Sequence, residues 1–380
     1  MTKEGIWAKH KGAITILAVF GLVLLVRGIF TNSIYPASTG DTANHLAVID
    51  AISRGDWGSW AYLGEVIVGV PVLLVAKTFG LDIATVFLVA EYLLLFGIGY
   101  SLYFVVSSLV NKKAAMLTIL LAMLCTPSIF RLFSSGTIFS AVNMCLILPL
   151  AIYFLVKLVA TRRKIYIIPT SVLVVLFSVF HPSGMSLMFA AGAFFVGYVA
   201  YKLIRGYRRQ ALVYGCLGIG VVGINLAVVA LIQHPFGKFM GEVGTGLVGF
   251  VKNITSTSII SIGQFTFDFI TLAPLAILVV AIVGLIQYRK LIKWSNETRL
   301  YLLMLSSFVP FLIIGAFTNL TVDPWRHALD LSVILAIVAA CLAGIVLTAK
   351  KSMLFIVVIM GLVGLGMIPT LSTFFELQGV

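Results

Sequence analysis

The chain has 380 residues, of which 61% are hydrophobic and 10% are charged, and its mean hydropathy is +1.13. This composition excludes a water-soluble domain, which could not carry so apolar a surface, and it indicates an integral membrane protein. The net charge of +13 would suit a nucleic-acid-binding protein, but the basic residues cluster at the ends of apolar runs. Membrane topology accounts for basic residues at such places, so we expect no nucleic-acid partner.

Unbroken apolar runs of about 20 residues, the length that crosses hydrocarbon as a helix, recur along the chain. They favour helices over a transmembrane barrel, whose strands would alternate apolar and polar residues. The sequence therefore predicts an all-α polytopic protein, a single domain over 1–380. The predicted spans are 12–30, 84–110, 114–133, 137–157, 165–181, 184–203, 211–233, 269–288, 300–319, 328–348 and 352–370.

A further apolar stretch, 61–79, contains Glu65 and Pro71, and its status decides the topology. We predict that it is a juxtamembrane or re-entrant helix and not a span. With eleven spans and a cytoplasmic N-terminus, 19 of the 26 Lys and Arg residues fall inside, as the positive-inside rule requires, and the C-terminus is extracytoplasmic. A model with twelve spans and an outer N-terminus violates this rule only at the first three lysines, and it stays open.

The first outer segment, 31–83, is predicted to hold juxtamembrane helices. Its apolar residues between Asp41 and Arg54 have the spacing of a helix on the membrane surface. Asp41 and His45 are four residues apart, hence on one face of that helix. Asp41 could take a proton from an acceptor hydroxyl. Alternatively, Asp41 only caps the helix by accepting backbone N–H bonds.

The last outer segment, 319–330, carries Arg326 and His327. An arginine facing the headgroups suits bidentate binding of phosphate oxygens, and His327 adds a second donor. The alternative is that Arg326 pairs with Asp323 or Asp330 and only anchors the helix.

Two further polar positions lie on the same predicted side of the membrane. His181 joins two spans in a short hairpin, where it could also be an ordinary interfacial residue. Lys238 belongs to the glycine-rich outer loop 234–268, which we predict to be mobile and which is either a lid or a plain connection.

This layout resembles the GT-C superfamily of membrane glycosyltransferases, which includes protein O-mannosyltransferases and aminoarabinose transferases. The resemblance extends over the whole chain as architecture, and its motifs are short. They are Gly40-Asp41-x-x-x-His45 after the first span, the stretch from Ala61-Tyr62 to Gly80, the hairpin His181-Pro182, and Trp325-Arg326-His327 at a late span.

The resemblance implies transfer of a sugar from a polyprenyl-phosphate donor to an acceptor on the extracytoplasmic face of a prokaryotic plasma membrane. It implies that Asp41 is the catalytic base or positions a metal, and that Arg326 meets the lipid-linked phosphate. We take four other residues as candidates for substrate binding: His45, His181, His327 and Lys238. Many relatives have a second acid beside the first, whereas Thr42 follows Asp41 here. We therefore assign no metal ligands and keep a divalent cation as an alternative.

Two other functions remain open, because a fold does not prove an activity. A lipid or solute transporter or flippase would need polar residues near the bilayer midplane, for which the candidates are Glu91, Asn143 and Asn225. A non-catalytic scaffold of an envelope complex would lose nothing when Asp41 is replaced.

Overall fold

A computed structural model of the chain describes residues 14, 16–22, 41–56, 63–125, 138–180, 192, 196–232, 272–317, 324–350 and 352–377. Within these residues all regular structure is helical, as predicted. Residues 16–22 and 196–204 are helical. The helices with named bounds are α1 (Asp41–Ser53), α2 (Leu63–Phe79), α3 (Ile83–Leu109), α4 (Lys112–Leu124), α5 (Ile138–Thr161), α6 (Ile167–Phe180), α7 (Arg208–Ile232), α8 (Leu272–Gln287), α9 (Asn296–Ser306), α10 (Val309–Phe317), α11 (Pro324–Ala349) and α12 (Met353–Leu377).

Short polar residues set several of the helix ends. Asp82 caps α3 by accepting a bond from the backbone N–H of Thr85 at 3.0 Å. Asn111 and Ser295 cap α4 and α9 in the same way. Side-chain oxygens at these positions satisfy N–H groups that have no partner inside the helix. Gly80 ends α2 with φ of +65°, a conformation that favours glycine.

Three of the described helices are long and apolar enough to cross a membrane. They are Ile83–Leu109, Ile138–Thr161 and Asp330–Ala349, and they coincide with three predicted spans. Shorter apolar helical segments in α6, in α8 and in the Met353–Leu365 part of α12 also lie on predicted spans. Helices that could cross a membrane are therefore present, while the count of eleven spans stays a prediction.

The predicted span 300–319 is not one continuous helix. Helix α9 ends at Ser306 and α10 begins at Val309, with a turn at Ser307 and Phe308. Pro310 explains the break, because proline has no N–H to donate to the preceding turn and its ring crowds the carbonyl four residues earlier. Hydrophobicity alone does not indicate this break, and the prediction that 300–319 crosses the membrane stays a prediction.

Helix α11 lies at the centre of the bundle and packs against α4, α8 and α10. Small residues on α11 are fully buried, among them Ala336, Ala339, Ala340 and Ala343. Such residues let helix backbones approach closely, and van der Waals packing is the main source of helix association in lipid. The close approach continues at Gly344, which faces Ala114 of α4.

Adding a side chain at Gly344 should loosen the contact between α4 and α11. A Cβ there would come within 2.7 Å of the Cα of Ala114, so backbone would have to move. We expect Gly344→Ala to lower the free energy of unfolding by about 1–3 kcal/mol, as overpacking does. Unfolding by SDS in mixed micelles measures this loss. Gly361→Ala on α12 is the control, because nothing lies within 4 Å of its Cβ position; an equal loss in both variants would contradict the close contact.

Large apolar side chains cover much of the outer surface of the bundle. Ile168 on α6 is 73% exposed, and Met353 on α12 is 74% exposed. Leu212 on α7 and Ile286 on α8 are exposed as well. Monomeric soluble proteins rarely expose apolar surface on this scale, and a lipid environment accounts for it.

One end of the bundle collects basic residues, and we refer to it as the basic end. Three contacts join its helices: Asn111 to the Gly344 carbonyl at 3.1 Å, Thr298 to the Leu109 carbonyl at 2.5 Å, and Lys157 to Glu297 at 2.5 Å. These contacts bring together the ends of α3, α5 and α11 with the starts of α4 and α9. Basic residues at this end are Lys112, Lys113, Arg162, Arg163, Lys164, Lys293, Arg299 and Lys350.

Candidate functional site

Helix α1 confirms that a helix follows Gly40, and it shows which face is buried; its place at the membrane surface stays a prediction. Its buried residues are Thr42, His45, Ile49 and Ile52, which follow one another at helical spacing. Helix α1 packs against α2 and α3. His45 therefore lies in the middle of the buried face, where the helical spacing predicts an apolar residue.

Helix α2 accounts for residues 63–79 of the apolar stretch 61–79, and it runs unbroken through Pro71. One face of α2 is buried and includes Glu65, while Leu74 and Phe79 on the other side are exposed. Glycines allow the close packing of the buried face. A Cβ at Gly64 would lie 2.5 Å from the Phe180 carbonyl oxygen of α6, and one at Gly69 would lie 2.9 Å from Ile49 of α1.

His45 and Glu65 form a buried pair between α1 and α2. The Nδ1 atom of His45 lies 3.1 Å from Oε1 of Glu65, and each residue is 4% exposed. An N–H at Nδ1 can donate to this carboxylate, which then determines the tautomer and holds the ring in place. Phe139 of α5 packs edge-on to the imidazole at 4.5 Å between ring centroids. The apolar surroundings make loss of either partner costly.

Three more buried polar residues lie on the helices beneath this pair. Glu91 of α3 is one turn after Phe87, whose ring is 6.4 Å from that of His45. Asn143 of α5 is one turn after Phe139. Asp330 lies near the start of α11, which packs against the segment around Asn143. Because α3, α5 and α11 all end at the basic end, these residues and the His45–Glu65 pair lie at the opposite end.

The depth of these residues follows from their positions along the helices. At 1.5 Å per residue, Glu91 is about 12 Å from the first residue of α3, Asn143 about 8 Å from that of α5, and Asp330 about 9 Å from that of α11. The three helices are 27, 24 and 26 residues long. All three polar residues thus lie in the first third of their helices and not halfway along them.

Asn143 occupies a π-helical segment, Val142–Ile147, inside α5. The segment ends just before Pro149, and the N–H of Leu148 reaches back five residues to the Asn143 carbonyl. Widening the turn relieves the clash that the proline ring would make with the preceding turn. The side-chain amide of Asn143 is fully buried, and neither of its polar atoms has a hydrogen-bond partner among the described residues. Such groups often mark functional sites.

The six residues predicted for the site have different outcomes. Asp41 is the first residue of α1, one turn before His45, and Arg326 and His327 lie in the first turn of α11. Their helices are described, but their side chains are outside the description. His181, Lys238 and the loop 234–268 lie outside the described residues altogether. Only His45 among the six has a described side chain, and it is buried and paired.

Glu65 and Asp330 are the site residues that sequence reasoning missed. In the sequence, Glu65 interrupts an apolar stretch and Asp330 is one of two possible partners of Arg326. The signal was present, because an ionisable residue within an apolar helical run marks a functional position by default. Among the described residues, no three His, Cys, Asp or Glu side chains lie close enough together to hold a metal ion. A divalent cation therefore stays an alternative and not an assignment.

The arrangement combines a held imidazole, buried carboxyl groups and an amide at one end of an apolar bundle. The dielectric constant is low in such apolar surroundings, so the hydrogen bonds and charge interactions of these groups are stronger than in water. Such a set can bind a polar group of a lipid-linked molecule and move a proton on it. Comparison of the chain with protein-family models and with curated proteins finds no match.

Proposed function

We propose that this chain is a membrane glycosyltransferase that moves a sugar from a polyprenyl-phosphate donor to an acceptor at the end of the bundle opposite the basic end. The observation that carries the proposal is the buried His45–Glu65 pair, one turn from Asp41. The start of α11, with Arg326 and His327, belongs to the same end. This end also corresponds to the segments that resemble the GT-C superfamily.

The charge distribution supports an extracytoplasmic site. Lys and Arg residues collect in cytoplasmic loops, so the basic end belongs on the cytoplasmic side. The opposite end, with His45, Glu65 and Glu91, then faces the outer leaflet. A donor anchored in that leaflet by its polyprenyl chain would bring its phosphate to the depth of the buried polar residues.

The proposed step assigns one task to each group. The Asp41 carboxylate takes the proton of the acceptor hydroxyl, and the acceptor oxygen forms a bond to the anomeric carbon of the sugar. The bond from that carbon to the donor phosphate oxygen breaks, and the phosphate leaves with the bonding electrons. Arg326 and His327 stabilise its negative charge. Glu65 positions His45 next to Asp41 for binding the substrate.

Transfer in proteoliposomes tests this function directly. The purified full-length chain is reconstituted with a radiolabelled polyprenyl-phosphate sugar, and label is followed into a panel of acceptors. We expect transfer by the wild-type chain and none by Asp41→Asn above background. Asp50→Asn is the matched control, because Asp50 lies on the same helix, is exposed and pairs with the exposed Arg54 in the next turn. Equal transfer by both variants would exclude Asp41 as the base.

A transporter or flippase is the second candidate, and Asn143 favours it. An unpartnered amide at a π-helical segment is typical of a ligand contact within a membrane bundle. The depths of Glu91 and Asn143 in the bundle do not support a transporter. A transporter binds its substrate near the bilayer midplane, whereas these two residues lie in the first third of their helices. The side chain of Asn225, the third midplane candidate, lies outside the description.

The same vesicles separate the two candidates. A fluorescent polyprenyl-phosphate is placed in both leaflets, and its accessibility to a quencher outside is followed with time. A glycosyltransferase leaves unchanged the fraction of labelled lipid that is protected from the quencher, whereas a flippase reduces this fraction to zero. Flipping that persists in Asp41→Asn and stops in Asn143→Ala would replace the proposed function by transport. A chain with neither activity would be the non-catalytic scaffold.

A further inference from the structure

A cleft of about 340 Å³ opens at the basic end, far from the candidate site. It lies between the end of α3, the end of α11 and the connection from α8 to α9. This volume is in the range of pockets that bind small molecules. Its polar lining residues are Asn111, Lys293, Ser295, Thr298 and Thr348, with Trp294 beside them.

The walls of the cleft are held by hydrogen bonds within the protein. The Asn111 amide donates to the Gly344 carbonyl at 3.1 Å and to the Thr348 hydroxyl at 2.9 Å. The Thr298 hydroxyl donates to the Leu109 carbonyl, and its backbone N–H donates to Ser295. These bonds fix three helix ends against one another. The cleft therefore has its shape before any ligand binds, which lowers the entropy lost on binding.

The charge around the cleft is positive. Lys293 lines it, Lys112 and Lys350 directly follow the lining residues Asn111 and Ala349, and Lys113 is the next residue after Lys112. None of the lining residues is acidic. The nearby Glu297 is engaged by Lys157 at 2.5 Å. An anion is therefore the ligand that the cleft favours.

The position of the cleft favours a lipid over a soluble anion. The helices that form it, α3 and α11, are long and apolar enough to cross a membrane. The ends of a helix that crosses lie in the headgroup region. Trp294 is half-buried against the core, and tryptophan is enriched at headgroup level. Basic pockets between membrane helices on the cytoplasmic side bind acidic headgroups.

We propose that this cleft binds the phosphate headgroup of an anionic phospholipid of the surrounding bilayer. The phosphate lies beside Lys293, and the positive charges of the three neighbouring lysines also attract it. The glycerol and the upper acyl chains lie against Trp294 and Ile345. This site is independent of the proposed transferase chemistry, which lies at the other end of the bundle.

Titration of the detergent-purified full-length chain with phosphatidylglycerol tests the site. Native mass spectrometry counts the retained lipid, and the unfolding temperature reports stabilisation. We expect phosphatidylglycerol to bind and stabilise the chain and phosphatidylcholine to do neither. Lys293→Gln should weaken phosphatidylglycerol binding about five-fold, the effect of one lysine near an anionic lipid surface. Ala349→Trp, which fills the cleft without changing its charge, should weaken binding as well.

Lys164→Gln is the matched control, because Lys164 is exposed at the basic end but does not line the cleft. It should change phosphatidylglycerol binding less than two-fold. An equal loss in Lys164→Gln and Lys293→Gln would overturn the proposal in favour of non-specific attraction by the whole basic end. Stabilisation by inorganic phosphate at the same concentration would show a soluble-anion site instead. Circular dichroism checks that each variant is folded, and unchanged binding in folded Lys293→Gln would also refute the site.

Discussion

Replacing Asp41 by asparagine is expected to reduce sugar transfer by about 100- to 10,000-fold, the range that a general base contributes. The amide keeps the size of the carboxyl group but cannot take the proton of the acceptor. Helix α1 should remain, because its buried face of Thr42, His45 and Ile49 is unchanged. The rate constant for transfer at saturating donor measures the effect, with donor binding measured separately.

The control variants for this experiment separate chemistry from folding. Asp50→Asn should keep transfer within about two-fold, since an exposed pair such as that with Arg54 contributes little. Asp41→Glu keeps the base and should retain part of the activity. If Asp41→Asn keeps a third or more of the wild-type rate, Asp41 only caps the helix, the alternative raised by its position at the helix start.

Removing Glu65 should destabilise the chain by about 3–5 kcal/mol, the effect of removing one partner of a buried pair of ionisable side chains. In Glu65→Ala the imidazole of His45 loses its carboxylate partner in surroundings made of Phe87, Phe139 and Phe180. The variant also leaves a void at the start of α2, which adds to the loss. Unfolding by SDS in mixed micelles, followed by circular dichroism, gives the free energy.

A double variant distinguishes loss of the His45–Glu65 contact from simple loss of packing. Replacing both partners, as His45→Leu with Glu65→Leu, should recover most of the stability, because an apolar pair of similar volume needs no charge compensation. Asp50→Ala, which removes the exposed partner of Arg54, should change the free energy of unfolding by no more than about 1 kcal/mol. A double variant less stable than Glu65→Ala would show that the pair itself does not account for the loss.

Several features of the fold were predictable because they depend on neighbouring residues only. The helix after Gly40 was expected between Asp41 and Arg54, and α1 runs from Asp41 to Ser53. A glycine after an apolar run is typical of a helix end, and Gly80 ends α2 with positive φ. The pair of Asp50 with Arg54 at helical spacing is present at 2.8 Å. Capping, glycine conformation and one-turn spacing all act over a few residues.

The faces of the helices were much harder to predict. In a soluble protein the apolar side of a helix points to the core, but here most helices are apolar all round, so the pattern does not mark the buried face. Cys216, for example, lies in an apolar run like the other three cysteines, yet it alone of the four is exposed. The break between α9 and α10 was equally hard to predict, because the hydropathy of the segment does not show the effect of Pro310 on the helix.

The amino-acid sequence by itself determined that this protein is helical, that its helices are apolar enough for a membrane, and that basic residues lie at the ends of apolar runs. Composition and short-range periodicity encode these properties. Only the tertiary structure decided that Glu65 meets His45 across 20 positions of the chain, and that Asn111 meets Gly344 across 233. The physical reason is that such contacts depend on which helix faces pack together, and complementary packing of small residues and buried polar groups is a property of pairs of helices and not of any one segment.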